Sequence, residues 1–159
     1  MEHHLTLTGL QDAVGARKTG GLDVVYTKLA VDLQNLAQGA ADPKLAAALD
    51  TLREETACDA IAVILLDAEG SRIQQVLSAR SPFTLCNPDV LTGLALDELP
   101  WLDKRLLHLR VHGIANTGAP HRANQGTDAD RLATMGCGAL LMIGFHIHGR
   151  RAGCLALFF

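Results

Sequence analysis

The sequence predicts an α+β domain on a mostly antiparallel sheet, from three observations. Helical and strand patterns fall in blocks, in the order α-α-β-β-(short α)-α-β-α-β-β, rather than in βαβ alternation. The strand patterns at the two ends of the globular part come as adjacent pairs around a turn, 60–67 with 72–80 and 138–148 with 151–159. The 159 residues, 48% apolar and 19% charged, are enough for one real core, and no segment repeats.

Each element has its own local reason. Residues 1–20 carry no periodicity and are expected to be a flexible leader, closed by Gly20-Gly21. Leu22, Tyr26, Leu29, Leu33, Leu36 and Ala40 then follow spacings of 4, 3, 4, 3 and 4, a heptad seam that predicts a helix over 21–41. Such a seam serves equally as packing on its own domain or as a homodimer helix. A second helix starts in "ADPKLAAALDTLREET", with Asp42 at the N-cap, Pro43 at the first helical position and Leu45, Leu49 and Leu52 on one face. From Ala60, "AIAVILLD" is the continuous aliphatic run of a buried strand. "DAEGS" turns the chain at Gly70, and "RIQQVLSAR" returns as a more polar strand.

Residues 81–100 are a long connection punctuated by Pro82, Pro88 and Pro100, in which Asn87 and Pro88 set up one helical turn. Pro100 opens a short helix, "PWLDKRLLHL", with Leu102, Leu106 and Leu109 on one side. "RVHGIAN" is a third strand and "TGAPHRANQGT" a polar loop. Thr127 and Asp130 have the spacing of a capping box for the helix "DADRLATM", which Gly136 ends. The last two strands, Gly138 to His148 and Arg151 to Phe159, meet around Gly149-Arg150.

Several function classes are excluded by pattern. A net charge of −3 without a basic tail argues against a nucleic-acid binder. No apolar run approaches the roughly 18 residues of a membrane span, and the N-terminus lacks a signal peptide, so a cytoplasmic location is expected. Cys58, Cys86, Cys137 and Cys154 form no C-x-x-C pair and are read first as small core residues. No dinucleotide, P-loop, zincin or nucleophile-elbow motif is present.

Weaker candidates remain. His146 and His148 fall at i, i+2, a spacing that could share a metal, but they flank a turn where polar residues belong anyway. His108 and His112 are four apart, with a helix end expected between them. His121, in the polar loop beside Asn116 and Asn124, is better placed for a ligand. Cys86 is either a plug over the core or a redox or attachment site. Trp101, the only Trp, either covers a pocket or fills the core.

Three stretches carry a family resemblance. The helix "PKLAAALDTLREETACDA" running into "IAVILLDAEG", the segment "LPWLDKRLLHLRVHGIAN", and above all "TDADRLATMGCGALLMIGFHIHGRRAGCLALFF", where Gly153, Leu155 and Leu157 supply a G-x-L-x-L element, resemble a GAF domain over about Ala40 to Phe159. Gly144 stands where the family usually has proline, the family's C-terminal helix has no counterpart, and the bilin Cys-His and cyclic-nucleotide signatures are absent. The spaced cysteines of free methionine-sulfoxide reductases are absent too, since Cys86 has no near neighbour in sequence and Cys137 lies at a helix end. The resemblance implies a GAF/PAS-like α+β fold: an antiparallel β-sheet of five to six strands with helices on both faces.

It further implies a small-molecule cavity between the sheet and the central helices, with Trp101, Arg105, His112, Asn116, His121, Asp130 and Met142 near it. The domain would span 42–159 and stop before its C-terminal helix. The function implied is a non-enzymatic bacterial sensor. It would be a homodimer through the Leu22–Ala40 helix and would control an output domain in the same chain, such as a cyclic-di-GMP enzyme, a kinase or a transcription factor. The alternatives are a ligand-free dimerisation module and a thiol-dependent sulfoxide reductase. No cofactor or metal is named by the sequence, and neither a nucleic acid nor a membrane is expected as a partner.

Overall fold

A computed structural model describes residues 43–118 and 125–159. The leader expected at 1–20, the helix expected at 21–41 and His121 lie outside the described residues. The first described element, α1 (Pro43–Thr56), buries Leu45, Leu49 and Leu52, each worth about 1.5–3 kcal/mol of burial. It is followed by β1 (Ala60–Leu66) and β2 (Ile73–Arg80), two single 3₁₀ turns at Pro88–Leu91 and Leu96–Glu98, and the short helix α2 (Pro100–Arg105). Then come β3 (Val111–Ile114), α3 (Gly126–Thr134), β4 (Leu140–Ile147) and β5 (Arg150–Phe158).

The five strands form one open antiparallel sheet in the order β2-β1-β5-β4-β3. The period-2 alternation of a strand divides the core in two. Ile61, Val63, Ile143, Phe145, Leu155 and Leu157 face α1. Ala60, Ala62, Ile64, Met142, Cys154, Ala156 and Phe158 face α2, α3 and the connection before them. Helices therefore cover both faces. The continuous run in β1 is explained by its position between β2 and β5, buried on both sides.

Gly153 is required where β5 passes β1: a Cβ there would lie 1.9 Å from the Ile64 carbonyl oxygen and 3.0 Å from the Phe145 ring. At the β1–β2 turn, Asp67 Oδ1 accepts from Ser71 N at 2.8 Å and Arg72 N at 3.3 Å. These donors hold the exposed Asp67 carboxyl below its ordinary value.

Three local expectations shift. The β4–β5 turn is centred on His148 and Gly149, with φ of 50° and 74°, rather than on Gly149-Arg150. Two positive φ values make the two-residue turn that matches strand twist, and Arg150 already pairs with Ile147. The helix opened by Pro100 stops at Arg105, so Leu102 and Leu106 are buried while Leu109 is exposed. The chain turns after Arg105 to enter β3, with His108 N bonded to Arg105 O at 3.1 Å. The Thr127–Asp130 capping box does not form. α3 begins at Gly126 with Gln125 as a cap that makes no side-chain bond, so Thr127 lies inside the first turn.

Other local readings hold. Asn87 Oδ1 accepts from Asp89 N at 3.3 Å, capping the turn that Pro88 opens. Gly136, at φ 83°, ends α3 as the sequence requires. Gly136 N bonds Ala133 O at 3.0 Å and Cys137 N bonds Leu132 O at 2.9 Å, the paired bonds of a Schellman end.

Candidate functional site

The two short helices α2 and α3 close over the sheet face that carries Ile64, Met142, Ala156 and Phe158. Between them lies a cavity of about 20 Å³, walled by these side chains together with Leu99, Trp101, Leu132, Asp128 and Arg131. That is room for about one water molecule. Its wall is apolar except at Asp128 and Arg131.

Asp128 is the group that organises this site. It is 2% exposed, yet its two oxygens are both used: Oδ1 accepts from Trp101 N at 3.1 Å and Oδ2 from Leu102 N at 3.0 Å. These are unpaired N–H groups of the first turn of α2, so a residue of α3 caps α2 from outside. Burial pushes the Asp128 carboxyl above its ordinary value, while the two N–H bonds and the Arg131 charge pull the other way and lose.

Two more contacts tie down α2 and the 3₁₀ turn before it. Arg131 meets Glu98 at 3.4 Å in a half-exposed pair, worth under about 1 kcal/mol. From the central strand β5, Arg151 Nη1 donates to Asp103 Oδ1 at 2.5 Å and to Asp103 O at 3.2 Å.

The residues named from sequence are distributed unevenly. Trp101 and Met142 stand in the cavity wall. His112 sits opposite Met142 in the β3–β4 register and so on the same face. Its Nε2 is buried without a hydrogen-bond partner, and burial first, then Arg105, His108 and Arg110, holds its pKa below the ordinary value. Its ring lies 6.2 Å from that of His108, centroid to centroid. Arg105 is half-buried at the end of α2. Asn116 is exposed and turns its Oδ1 onto Gly118 N at 2.9 Å. Asp130 is exposed on the far side of α3.

Asp128 was not among the sequence candidates. The signal for it was periodicity: Asp128, Leu132 and Met135 fall at i, i+4, i+7, so a carboxylate stands on the apolar stripe of α3.

The histidine pair of β4 separates. His146 Nε2 lies 3.2 Å from Leu106 O, and His148 is in the turn. Among the described residues no group of three or more His, Cys, Asp or Glu gathers for a metal. All four cysteines are buried and free, as expected of small core residues. Cys154, wholly enclosed, is pushed up to about 12 by burial. Cys86, isolated in sequence, is not isolated in space, because the backbone that carries it lies against Gly136, next to Cys137.

No family model matches the chain, and no curated protein matches it. Solved structures do. A phycocyanobilin-bound GAF domain from a cyanobacterial phytochrome superposes with a TM-score of 0.61 at 15% identity, covering 89% of this chain and 81% of that one. A phycoerythrobilin-bound GAF domain, also from a cyanobacterial phytochrome, gives 0.59 at 14% identity, covering 89% and 82%. The PixJ GAF domain of Thermosynechococcus elongatus, in its blue-light absorbing form, gives 0.52 at 16% identity, covering 71% and 67%. At these identities the likeness is one of fold.

Proposed function

We propose that this GAF-like domain is a sensory module, taking a small molecule between the sheet and α2–α3 and reporting its presence to a signalling output domain of the same chain. One observation supports the reading most: the α2 cover of the cavity is a six-residue helix whose N-terminus is capped by a cavity-wall carboxylate, Asp128, rather than by its own sequence. A ligand with an apolar body and one donor or cationic group suits a wall that is apolar but for Asp128 and Arg131. Trp101 and Met142 would contact its body, with His112 beside them on the same sheet face. Arg105, Asn116 and His121 would serve at the margin, whereas Asp130, on the far side of α3, would not reach it.

Entry into a cavity of about 20 Å³ requires α2 to move outward. The Asp103–Arg151 bond would carry that movement to β5, the centre of the sheet. The role is regulatory rather than enzymatic, in the cytoplasm of a bacterium. Among the described residues no helix is long and apolar enough to cross a membrane.

The test is native mass spectrometry of protein purified from cells, with a thermal-shift screen across a metabolite panel. A bound species, or a shift lost when Ala156→Leu fills the cavity, supports sensing. No bound species and no shift across the panel sinks it.

The small cavity favours one other reading, a ligand-free module that dimerises through the Leu22–Ala40 seam. Sedimentation separates the two in part. A dimer abolished by Leu29→Asp with Leu33→Asp, in protein that binds nothing on the panel, selects the second.

A further inference from the structure

The fold also brings together two thiols that the cavity does not use. Cys86 lies in the connection after β2 and Cys137 just past the end of α3, and they are 0% and 2% exposed. Each thiol perturbs the other, pushing Cys86 up and Cys137 down. The backbones around them are in contact as well, since Asn87 N donates to Met135 O at 3.3 Å. Gly136 permits this approach: a Cβ there would fall 3.0–3.2 Å from the backbone of Leu85 and Cys86.

The two partners are held very differently. Cys137 N bonds Leu132 O at 2.9 Å, Cys137 O accepts from Thr117 Oγ1 at 2.6 Å, and the next two N–H groups, of Gly138 and Ala139, bond to Phe159 O at 2.6 and 2.9 Å. Cys86 sits on residues 81–87, where Phe83 and Leu85 are 93% and 89% exposed and so anchor nothing. The loop is tied at its two ends, by Ser81 N to Asp59 O at 2.8 Å and Asn87 N to Met135 O at 3.3 Å, and between them its hydrogen bonds are short-range ones: Thr84 N to Ser81 O, Phe83 N to Ser81 Oγ and Cys86 N to Thr84 Oγ1. Local opening of the loop between those ties is the event that would expose the sulfurs.

We propose that Cys86 and Cys137 are a redox couple that closes reversibly into an intramolecular disulfide under a hydroperoxide. The Cys137 sulfur, whose thiol donates to Ala139 O at 3.0 Å, attacks one peroxide oxygen. The O–O bond breaks, the Cys137 sulfur becomes a sulfenic acid, and the departing oxygen leaves as water with the thiol proton. The Cys86 sulfur then attacks the Cys137 sulfur, the S–O bond breaks, and a second water carries off the Cys86 proton. The pair loses two electrons and two protons, hydrogen peroxide becomes two waters, and an external dithiol reverses the change. The disulfide staples the 81–87 loop to the end of α3, beside the paired ends of β4 and β5. This chemistry is independent of any ligand in the cavity.

The experiment uses the full chain. It is treated with hydrogen peroxide, its remaining thiols are blocked with N-ethylmaleimide under denaturing conditions, and non-reduced tryptic peptides are mapped by mass spectrometry. The expected product is one cross-link between the peptide Ser81–Lys104 and the peptide Leu132–Arg150, with Cys58 and Cys154 alkylated, and the cross-link disappears after dithiothreitol. Cys86 and Cys137 both remaining alkylated at excess peroxide would overturn the proposal. So would oxidation of either to sulfinic acid without a cross-link, or a cross-link to another cysteine. Because the wild-type chain answers the question, a buried Cys→Ser variant that fails to fold leaves the result intact.

Discussion

Replacing Asp128 with alanine removes the side-chain cap that the described residues give α2. Two N–H groups, of Trp101 and Leu102, lose a charged acceptor at 3.1 and 3.0 Å in a buried setting. Hydrogen bonds to a charged group contribute about 1.5–3 kcal/mol each. The lost desolvation penalty of the carboxylate offsets part of that sum, which leaves an expected destabilisation of about 2–4 kcal/mol. Asp128→Asn keeps one acceptor but turns an NH₂ group toward the second N–H, so about 1–2 kcal/mol is expected.

The carboxyl's pKa is raised in the folded state. Its contribution is therefore fully present below the unfolded value near 4 and declines as pH rises through the folded value. The gap between wild type and the Asp128→Asn variant should narrow as pH increases across that window. Urea unfolding followed by far-UV circular dichroism and by the single Trp measures all of this. Asp130→Ala, exposed on the other side of α3, is the control and should cost under about 0.5 kcal/mol. An Asp128→Ala variant as stable as wild type, or an Asp130→Ala variant equally damaged, would refute the cap assignment.

Gly153→Ala should cost about 3 kcal/mol or more, or abolish soluble expression, because the clash is with backbone rather than a movable side chain; chemical denaturation reads it. Gly136→Ala should lose about 1–2 kcal/mol from its positive φ and its contact with Leu85, and should also weaken peroxide-driven cross-linking of Cys86 to Cys137. The depressed His112 pKa means that the fold favours the neutral ring. Stability from this group is present above the unfolded value near 6.5 and falls as pH drops through the lower folded value, and His112→Phe should remove that part of the acid sensitivity in a pH-resolved melting series. If the disulfide forms, oxidised protein should melt higher than reduced protein, since closing a loop of about 50 residues is worth about 4 kcal/mol on chain-entropy grounds.

Most of the architecture was legible because it rests on local periodicity. The stripe of Leu45, Leu49 and Leu52, the run 60–66, the Asn87-Pro88 turn and the glycine at 136 each show in a window of a few residues. The boundaries that moved depend on what the neighbouring chain allows. α2 ends at Arg105, where His108 N turns back onto Arg105 O before β3, and α3 begins at Gly126 after a Gln125 that makes no side-chain capping bond. The site was only partly legible. Trp101 and Met142 stand in the cavity wall, but the carboxylate there is Asp128, two positions from Asp130. Two residues turn a helix by about 200°, which separates the buried face from the solvent.

The sequence by itself determined the order of elements from Pro43 onward, the alternation that sorts β-strand side chains between two cores, and the glycine positions at the turns. These follow from the 3.6 and 2.0 periods of helix and strand and need no partner segment. Only the tertiary structure decided that a carboxylate on α3 caps α2, that Arg151 of the central strand holds Asp103, and that Cys86 meets Cys137. Each joins residues far apart in the chain, whose proximity is set by sheet order and helix packing. No local pattern encodes such a distance.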